Sequence, residues 1–185
     1  MNHTFKHIIF YAFSIFFISC GGPTSEQKAI IDAQAQLEKD LELYSSIWNT
    51  FLNEGDTTVV NSKNFTEDVV VVTSEGDIVG IEGVRNYYYN FNKGFSNIEF
   101  TIVDAFGQGD KIMKYWNFKG VHTGEFFGIP PTGNKLDLSG TTLVTMINGK
   151  IAKEHDFFDM KSMLDQLLQV NSGDVTIDAQ NQGVL

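Results

Sequence analysis

Cysteine and basic residues are both scarce in this sequence. Cys20 is the only cysteine, so no disulfide can form within the chain. Lysine and arginine together number 13 against 23 aspartates and glutamates, which gives a formal net charge of −10 at pH 7. Proteins that bind nucleic acids carry basic stripes that neutralise phosphates, and the sequence has none. We therefore expect no nucleic-acid partner.

Motifs for metals, phosphates and nucleophilic catalysis are also missing. The sequence has no His-x-His, Cys-x-x-Cys or His-Glu-x-x-His spacing, which are typical of metal sites. Gly76, Gly80 and Gly83 do not have the spacing of a phosphate-binding loop, and there is no Gly-x-Ser-x-Gly elbow. These absences predict a protein without a metal site or a bound cofactor.

The first part of the chain has the pattern of a bacterial export signal. Lys6 precedes an apolar run over residues 8–18, which is shorter than the ~20 residues of a transmembrane helix and typical of a signal-peptide core. The run ends in Ser19-Cys20-Gly21-Gly22, which resembles a lipobox, where the cysteine is lipidated and becomes the new N-terminus. The alternative is a plain membrane anchor with an unused thiol.

This pattern predicts a lipoprotein signal peptide over residues 1–19 and lipidation of Cys20. Residues 20–28 are then a short tether. The predicted location is the bacterial cell envelope, where the lipid on Cys20 holds the exported protein to a membrane.

Hydrophobic periodicity divides the rest of the chain into helices followed mostly by strands. Apolar side chains recur at helical steps from Ser25 to Asn53, beginning with Ile30. Residues 59–65 and 84–91 predict two further helices, and a closing helix runs from an N-cap at Asp159 to Leu168. Strands are predicted over residues 69–73, 98–106, 111–122, 135–147 and 150–158, with a hairpin turn at Asn148-Gly149.

The order of these elements predicts an α+β fold. Helices would pack on one face of a curved antiparallel sheet and leave a pocket between the two layers. The predicted domain covers residues 29–170. Residues 171–185 are polar and lack periodicity, which predicts a disordered tail.

The last predicted strand carries the strongest candidate for catalysis. Strand alternation puts Ala152, Glu154, Asp156 and Phe158 on one face, with Ile151, Lys153, His155 and Phe157 on the other. If the first face lines an apolar cavity, its carboxylates can exchange protons near neutral pH. Asp156 is therefore the candidate acid/base. The alternative is that this face meets solvent and the carboxylates are ordinary.

A second candidate lies on the strand over residues 111–122. Trp116, Phe118 and His122 share one face of it by alternation, so His122 could hydrogen-bond the carbonyl of a ligand, although a lone histidine is more often a core residue. The predicted substrate contacts on all elements are Trp48, Tyr88, Trp116, Phe118, Glu154 and Phe158.

One stretch has a specific resemblance to a known family. Residues 120–133, Gly-Val-His-Thr-Gly-Glu-Phe-Phe-Gly-Ile-Pro-Pro-Thr-Gly, resemble the signature loop of SnoaL-like polyketide cyclases, also called ester cyclases. Shorter matches follow the family's order from about Leu37 to Leu168: Gly80-Ile81-Glu82-Gly83, Gly109-Asp110-Lys111, Asn148-Gly149-Lys150-Ile151 and Gln166-Leu167.

The resemblance implies the nuclear-transport-factor-2-like fold, a cone of curved antiparallel sheet closed by helices around a pocket. It also implies an acid/base aspartate at Asp156, which in cyclases moves protons during an intramolecular aldol closure. The last strand is also similar to that of limonene-epoxide hydrolases, which share the fold. Those enzymes need an Arg-x-Asp where this chain has Tyr-Trp-Asn-Phe at residues 115–118, so epoxide hydrolysis is not expected.

Three functions fit these observations. The first is an acid/base enzyme of cyclase, isomerase or hydrolase type, in which Asp156 acts on a small hydrophobic carbonyl compound and His122 orients it. The second is a non-catalytic lipoprotein that binds a small hydrophobic molecule. The third is an interaction module that forms a homodimer through its sheet.

Overall fold

The chain forms three α-helices and six strands within residues 22–169, the part described by a computed structural model. In chain order these are α1 (Ser25–Asn53), a 3₁₀ turn (Thr57–Val59), β1 (Phe65–Val72), β2 (Ile78–Val79), α2 (Ile81–Gly94), β3 (Phe95–Gln108), β4 (Lys111–His122), β5 (Lys135–Ile147), β6 (Lys150–Phe158) and α3 (Met160–Leu168). The predicted signal peptide, Cys20 and the predicted tail over residues 171–185 lie outside the described residues.

No helix within residues 22–169 combines the length and the apolar character that crossing a membrane requires.

The six strands form one mixed sheet, and the predicted α+β class is confirmed. The strand order is β2-β1-β6-β5-β4-β3. All neighbours pair antiparallel except β1 and β6, which run parallel, so the sheet is mostly antiparallel, as expected. Bulges interrupt β3 at two places and β6 at one, and bulges bend strands. The helices α1 and α2 cover the inner face.

The region between α1 and β1 differs from the prediction. Residues 59–65 form no α-helix, because only Thr57–Val59 makes a 3₁₀ turn and Phe65 already begins β1. The asparagine side chains there bond the nearby backbone: Asn64 Nδ2 donates to the Val59 carbonyl, and the Asn61 carboxamide oxygen accepts from the backbone N–H of Lys63. Such local bonds compete with helix formation.

The long helix α1 contacts the core with only its second half. Its first buried side chain is Leu37, whereas Ile30 and Ile31 are 64% and 58% exposed. The prediction that Ile30 shares the packed face is therefore wrong. Further along, Tyr44, Trp48 and Phe51 are all fully or almost fully buried, and they fix α1 over the inner face of the sheet.

A bulge in β6 changes which side chains face inward at its start. The pairing steps from Met146 opposite Ile151 to Thr145 opposite Lys153, so one extra residue lies in β6. As a result Ile151 and Glu154 are both fully buried, although strict alternation would place them on opposite faces. The predicted inward face is right from Glu154 onward and wrong at Ile151.

Candidate functional site

A small cavity lies between the helices and the inner face of the sheet. Its volume is about 40 Å³, enough for only a few non-hydrogen atoms. Three of its eleven lining residues are not aromatic: Leu52, Lys114 and Asp156. The aromatic wall consists of Trp48, Tyr87, Tyr88, Phe91, Phe100, Trp116, Phe118 and Phe158, which includes all five aromatic side chains predicted as substrate contacts.

The carboxylate of Asp156 is held at both oxygens by hydroxyl groups. Tyr88 Oη donates to Oδ2 at 2.7 Å, and Thr142 Oγ1 donates to Oδ1 at 2.5 Å. Trp116 Nε1 in turn donates to Thr142 Oγ1 at 3.0 Å. Asp156 is half-buried, so β6 presents it at the cavity wall with a fixed orientation. Both hydroxyls lie on other elements, Tyr88 on α2 and Thr142 on β5.

Tyr88 remains a proton donor in this arrangement. Burial raises the pKa of its phenol well above the ordinary value, and the negative charges of Asp156 and Glu154 raise it further. The phenol therefore stays neutral and can keep its hydrogen bond to Asp156 across the accessible pH range.

Glu154 lies inward of the cavity wall and is fully buried. Its Oε1 accepts hydrogen bonds from Tyr44 Oη at 2.6 Å and Trp48 Nε1 at 3.1 Å, while Oε2 has no partner among the described residues. The pKa of this carboxyl is raised to about 7, chiefly by burial. Lys114 and the two hydrogen bonds act to lower the pKa, whereas the charge of Asp156 also raises it. Glu154, predicted as a substrate contact, thus lies behind Trp48 and Tyr44.

Lys114 is a cavity residue that the sequence motifs do not predict. It is 4% exposed, and its Nζ lies 4.9 Å from the ring centroid of Tyr44 and 5.2 Å from those of Trp48 and Phe100. Burial lowers the pKa of its ammonium group, whereas the charges of Glu154 and Asp156 raise it. Strand alternation could have found it, because Lys114 occupies the inward position between Ile112 and Trp116.

His122 is buried but does not line the cavity. Its ring lies 5.3 Å from that of Phe95 and 6.3 Å from that of Phe126, and its Nδ1 is 3.0 Å from Thr132 Oγ1. Alternation assigned His122 to the correct face, but it is two inward positions beyond Phe118, or about 13 Å along the strand. The predicted meeting of His122 and Asp156 in one pocket is therefore not observed.

The loop that carries the family signature packs on the end of α2. The backbone N–H groups of Thr123 and Gly124 both donate to the Gly94 carbonyl at 3.0 Å. A Cβ at Gly124 would collide with the Lys93 carbonyl oxygen, so glycine is required for this close approach. The contact between His122 and Thr132, together with the bond from the Gly133 N–H to the His122 carbonyl at 2.8 Å, joins the two ends of the loop.

A larger groove adjoins the cavity. Its volume is about 530 Å³, and it shares Tyr87, Phe91 and Phe158 with the cavity. The other walls come from the β1–β2 turn, the signature loop and α3: Thr73, Ser74, Glu75, Phe126, Phe127, Ile129, Met160, Met163 and Leu164. The described site therefore consists of a small inner cavity and a wide, mostly apolar outer groove.

Within residues 22–169 no group of three or more histidine, cysteine, aspartate or glutamate side chains is placed to hold a metal ion.

Comparison with known proteins gives a family match and several structural matches. The family model for SnoaL-like polyketide cyclase matches residues 42–167. The crystal structure of a protein from Jannaschia sp. CCS1, named as a SnoaL-like polyketide cyclase, superposes with a TM-score of 0.62 at 20% identity. The match covers 70% of this chain and 92% of that one. TsrD from Streptomyces laurentii gives 0.61 at 21% identity, with coverage of 72% and 96%.

A third solved structure comes from Acidithiobacillus ferrooxidans and is named as a polyketide cyclase. It superposes with a TM-score of 0.62 at 20% identity, and the match covers 72% of this chain and 96% of that chain. At such identities the likeness concerns the fold. No curated protein matches the sequence.

Proposed function

Because this chain belongs to the SnoaL-like polyketide cyclase family, we propose that it is an enzyme in which Asp156 acts as the acid/base on a small hydrophobic carbonyl compound. One observation carries the proposal. The Asp156 carboxylate lies on the wall of a cavity that is otherwise largely aromatic, and both its oxygens are fixed by neutral hydroxyl donors. A positioned carboxylate shielded from bulk water is the group that proton transfer at carbon requires.

The reaction that fits this geometry begins with removal of a proton from the carbon next to a carbonyl. The C–H bond breaks, the proton moves to a carboxylate oxygen of Asp156, and the electron pair forms an enolate. In a cyclase the enolate carbon then attacks a second carbonyl carbon. The resulting alkoxide takes the proton back from Asp156, so the carboxylate is regenerated and no co-reactant is consumed.

The shape of the site sets limits on the substrate. The inner cavity of about 40 Å³ accepts only the reacting end of a molecule, whereas the outer groove of about 530 Å³ has the size of an ordinary ligand pocket. The substrate we expect has a carbonyl-bearing end beside Asp156 and an apolar body in the groove. Tyr87, Phe91 and Phe158 line both spaces and would contact the point where the two parts join.

The test measures exchange of α-protons with solvent, which requires only the first step. Benzylacetone and other hydrophobic ketones are incubated with the protein in D₂O, and deuterium uptake is followed by NMR. The Asp156→Asn variant should lose about 100-fold or more of the protein-dependent rate, the usual size of a general-base contribution. Asp159→Asn is the matched control, because asparagine is an equally good N-cap for α3.

Two outcomes contradict the enzyme proposal. Equal exchange rates for the parent protein and Asp156→Asn would remove Asp156 from the reaction. If no ketone exchanges faster with the parent protein than without it, yet native mass spectrometry shows a bound apolar molecule, the function is that of a ligand-binding lipoprotein.

We also propose that a lipid on Cys20 anchors the protein to a membrane of the bacterial cell envelope. The first twelve residues of α1, over 25–36, contact no core, and a helix of that length spans about 18 Å. This segment would hold the domain away from a membrane surface. Labelling cells with an alkyne fatty acid tests the anchor: the protein should be labelled, and Cys20→Ser should not be.

A further inference from the structure

We propose that the side-chain amine of Lys114 is a nucleophile that forms an imine with the carbonyl carbon of a substrate in the inner cavity. This inference deepens the proposed function, since it assigns a covalent step to the same cavity. The geometry behind it is the position of Lys114 on the cavity wall, which it shares with Asp156. Its side chain is buried to 4% exposure, so the amine faces the enclosed space rather than bulk water.

The surroundings of Lys114 favour a neutral amine more than those of a surface lysine do. Among the described residues no carboxylate oxygen lies within 4 Å of its Nζ, and no hydrogen bond to this atom is formed. The groups around it are the faces of Tyr44, Trp48 and Phe100, whose cation–π attraction favours the ammonium form but replaces its lost hydration only in part. A buried ammonium normally needs an ion-pair partner or hydrogen-bond acceptors.

The charged groups that face Lys114 come from β6, which is two strands away in the sheet. Glu154 and Asp156 on β6 both favour the ammonium form, whereas burial, the largest effect, lowers the pKa of Lys114. Burial also raises the pKa of Glu154 to about 7, so near neutrality this carboxyl can be protonated and its negative charge removed. A desolvated lysine in an apolar pocket is a known way to obtain a reactive amine.

The covalent step balances without any added reagent. The Asp156 carboxylate first takes one proton from the Lys114 ammonium group, which leaves a neutral amine and a protonated Asp156. The Nζ lone pair then attacks the carbonyl carbon, the C=O π electrons move to oxygen, and transfer of a proton from nitrogen to oxygen gives a carbinolamine. The carbinolamine oxygen takes a proton from Asp156 and leaves as water, so a C=N bond replaces the C=O bond. The protonated imine draws electrons from the adjacent carbon, and the Asp156 carboxylate then removes the α-proton. Hydrolysis at the end releases the product and restores the amine.

The experiment traps the imine in the full-length protein. Acetone, which is small enough for the inner cavity, is added with sodium cyanoborohydride near neutral pH, and modified lysines are located by peptide mass spectrometry. Lys114 should be alkylated several-fold faster than Lys119, an exposed lysine on the same strand that pairs with Asp137. An excess of benzylacetone without reductant, added first, should slow the labelling of Lys114 and leave Lys119 unaffected.

Two substitutions separate a nucleophile from a simple charge. Lys114→Arg keeps a cation but has no nucleophilic amine, whereas Lys114→Met removes both. If the imine forms, both variants should lose α-proton exchange to the same extent, because neither can activate the carbonyl covalently. Full exchange activity in Lys114→Arg with loss in Lys114→Met would overturn the inference in favour of an electrostatic role. Lys119→Met serves as the control for folding and should exchange like the parent protein.

Failure of this inference is distinguishable from failure of the proposed function. Labelling of Lys114 no faster than Lys119, with exchange still dependent on Asp156, would overturn the imine alone. Rapid labelling of Lys114 in both the parent protein and Asp156→Asn, with equal exchange rates, would overturn the role of Asp156 and leave the imine supported.

Discussion

The phenol of Tyr88 donates a 2.7 Å hydrogen bond to Oδ2 of Asp156 and thereby joins α2 to β6 across the cavity. The two residues are 68 positions apart in the sequence, so the bond exists only once the helix has packed on the sheet. It fixes the orientation of the carboxylate relative to the aromatic wall. The bond between Thr142 and Asp156 does the same from the neighbouring strand β5.

Removing the hydroxyl group of Tyr88 should lower the α-proton exchange rate more than it lowers the stability of the fold. In Tyr88→Phe the ring and its packing against Trp48 are kept, but one oxygen of Asp156 loses its donor. We expect the α-proton exchange rate to fall about tenfold and the free energy of unfolding to fall by about 1 kcal/mol, the usual net value of one hydrogen bond. Deuterium uptake and urea denaturation measure the two effects. Tyr89→Phe, an exposed neighbour on α2, should change neither, and an equal exchange rate in Tyr88→Phe would contradict the positioning role.

The bond between His122 and Thr132 should affect stability but not the reaction. Thr132→Val removes the hydroxyl that contacts His122 Nδ1 and also accepts from the backbone N–H of Asn134. Since neither His122 nor Thr132 lines the cavity, we expect a loss of about 1 kcal/mol in the free energy of unfolding and an unchanged exchange rate. A large fall in exchange without a change in stability would instead place His122 in the reaction, as its sequence context suggests.

Alternation along strands predicted which side chains face inward, including four of the eleven residues that line the cavity. Trp116, Phe118 and His122 on β4, and Glu154, Asp156 and Phe158 on β6, all take the inward side that a period of two assigns to them. Alternation gives the face of a residue but not its distance along the strand. For this reason the sequence predicts His122 in the same pocket as Asp156, although the two lie apart. It also fails where a strand contains a bulge, as at the start of β6.

Alternation assigns Lys114 and Glu154 to the inward side but does not predict how fully they are buried. Nothing local in the sequence shows that Tyr44 and Trp48 of α1 meet them. Those contacts depend on how α1 docks on the sheet. The 3₁₀ turn after α1 was missed for a local reason, since the asparagine side chains there bond the backbone.

The outward face of the sheet is where we expect a second copy of the chain, if the predicted homodimer forms. Tyr115, Leu143 and Phe157 are 44%, 39% and 46% exposed there and lie on three adjacent strands, and adjoining exposed apolar side chains often mark an interface. Leu143→Lys should convert the dimer into a monomer in light scattering without changing α-proton exchange per chain. Thr145→Lys, on the same strand and face, is the control. A parent protein that is monomeric at high concentration contradicts the prediction.

Glu154 should make the protein less stable as the pH rises through neutrality. Burial is the first cause that moves the pKa of its carboxyl from 4.5 to about 7, so the folded state holds a proton that the unfolded chain releases between these values. Stability therefore falls with rising pH over this window, by about 3 kcal/mol if the whole shift is expressed.

In Glu154→Gln the amide oxygen can still accept from Tyr44 and Trp48, and the side chain stays neutral at every pH. Urea denaturation near pH 4 should therefore give similar free energies of unfolding for the two proteins, while above neutrality the variant should be the more stable. Glu99→Gln, an exposed position on β3, should follow the parent protein throughout. If Glu154→Gln also runs parallel to the parent protein from acid to alkaline pH, the carboxyl titrates as it does in the unfolded chain, and it cannot supply the neutral partner that Lys114 needs.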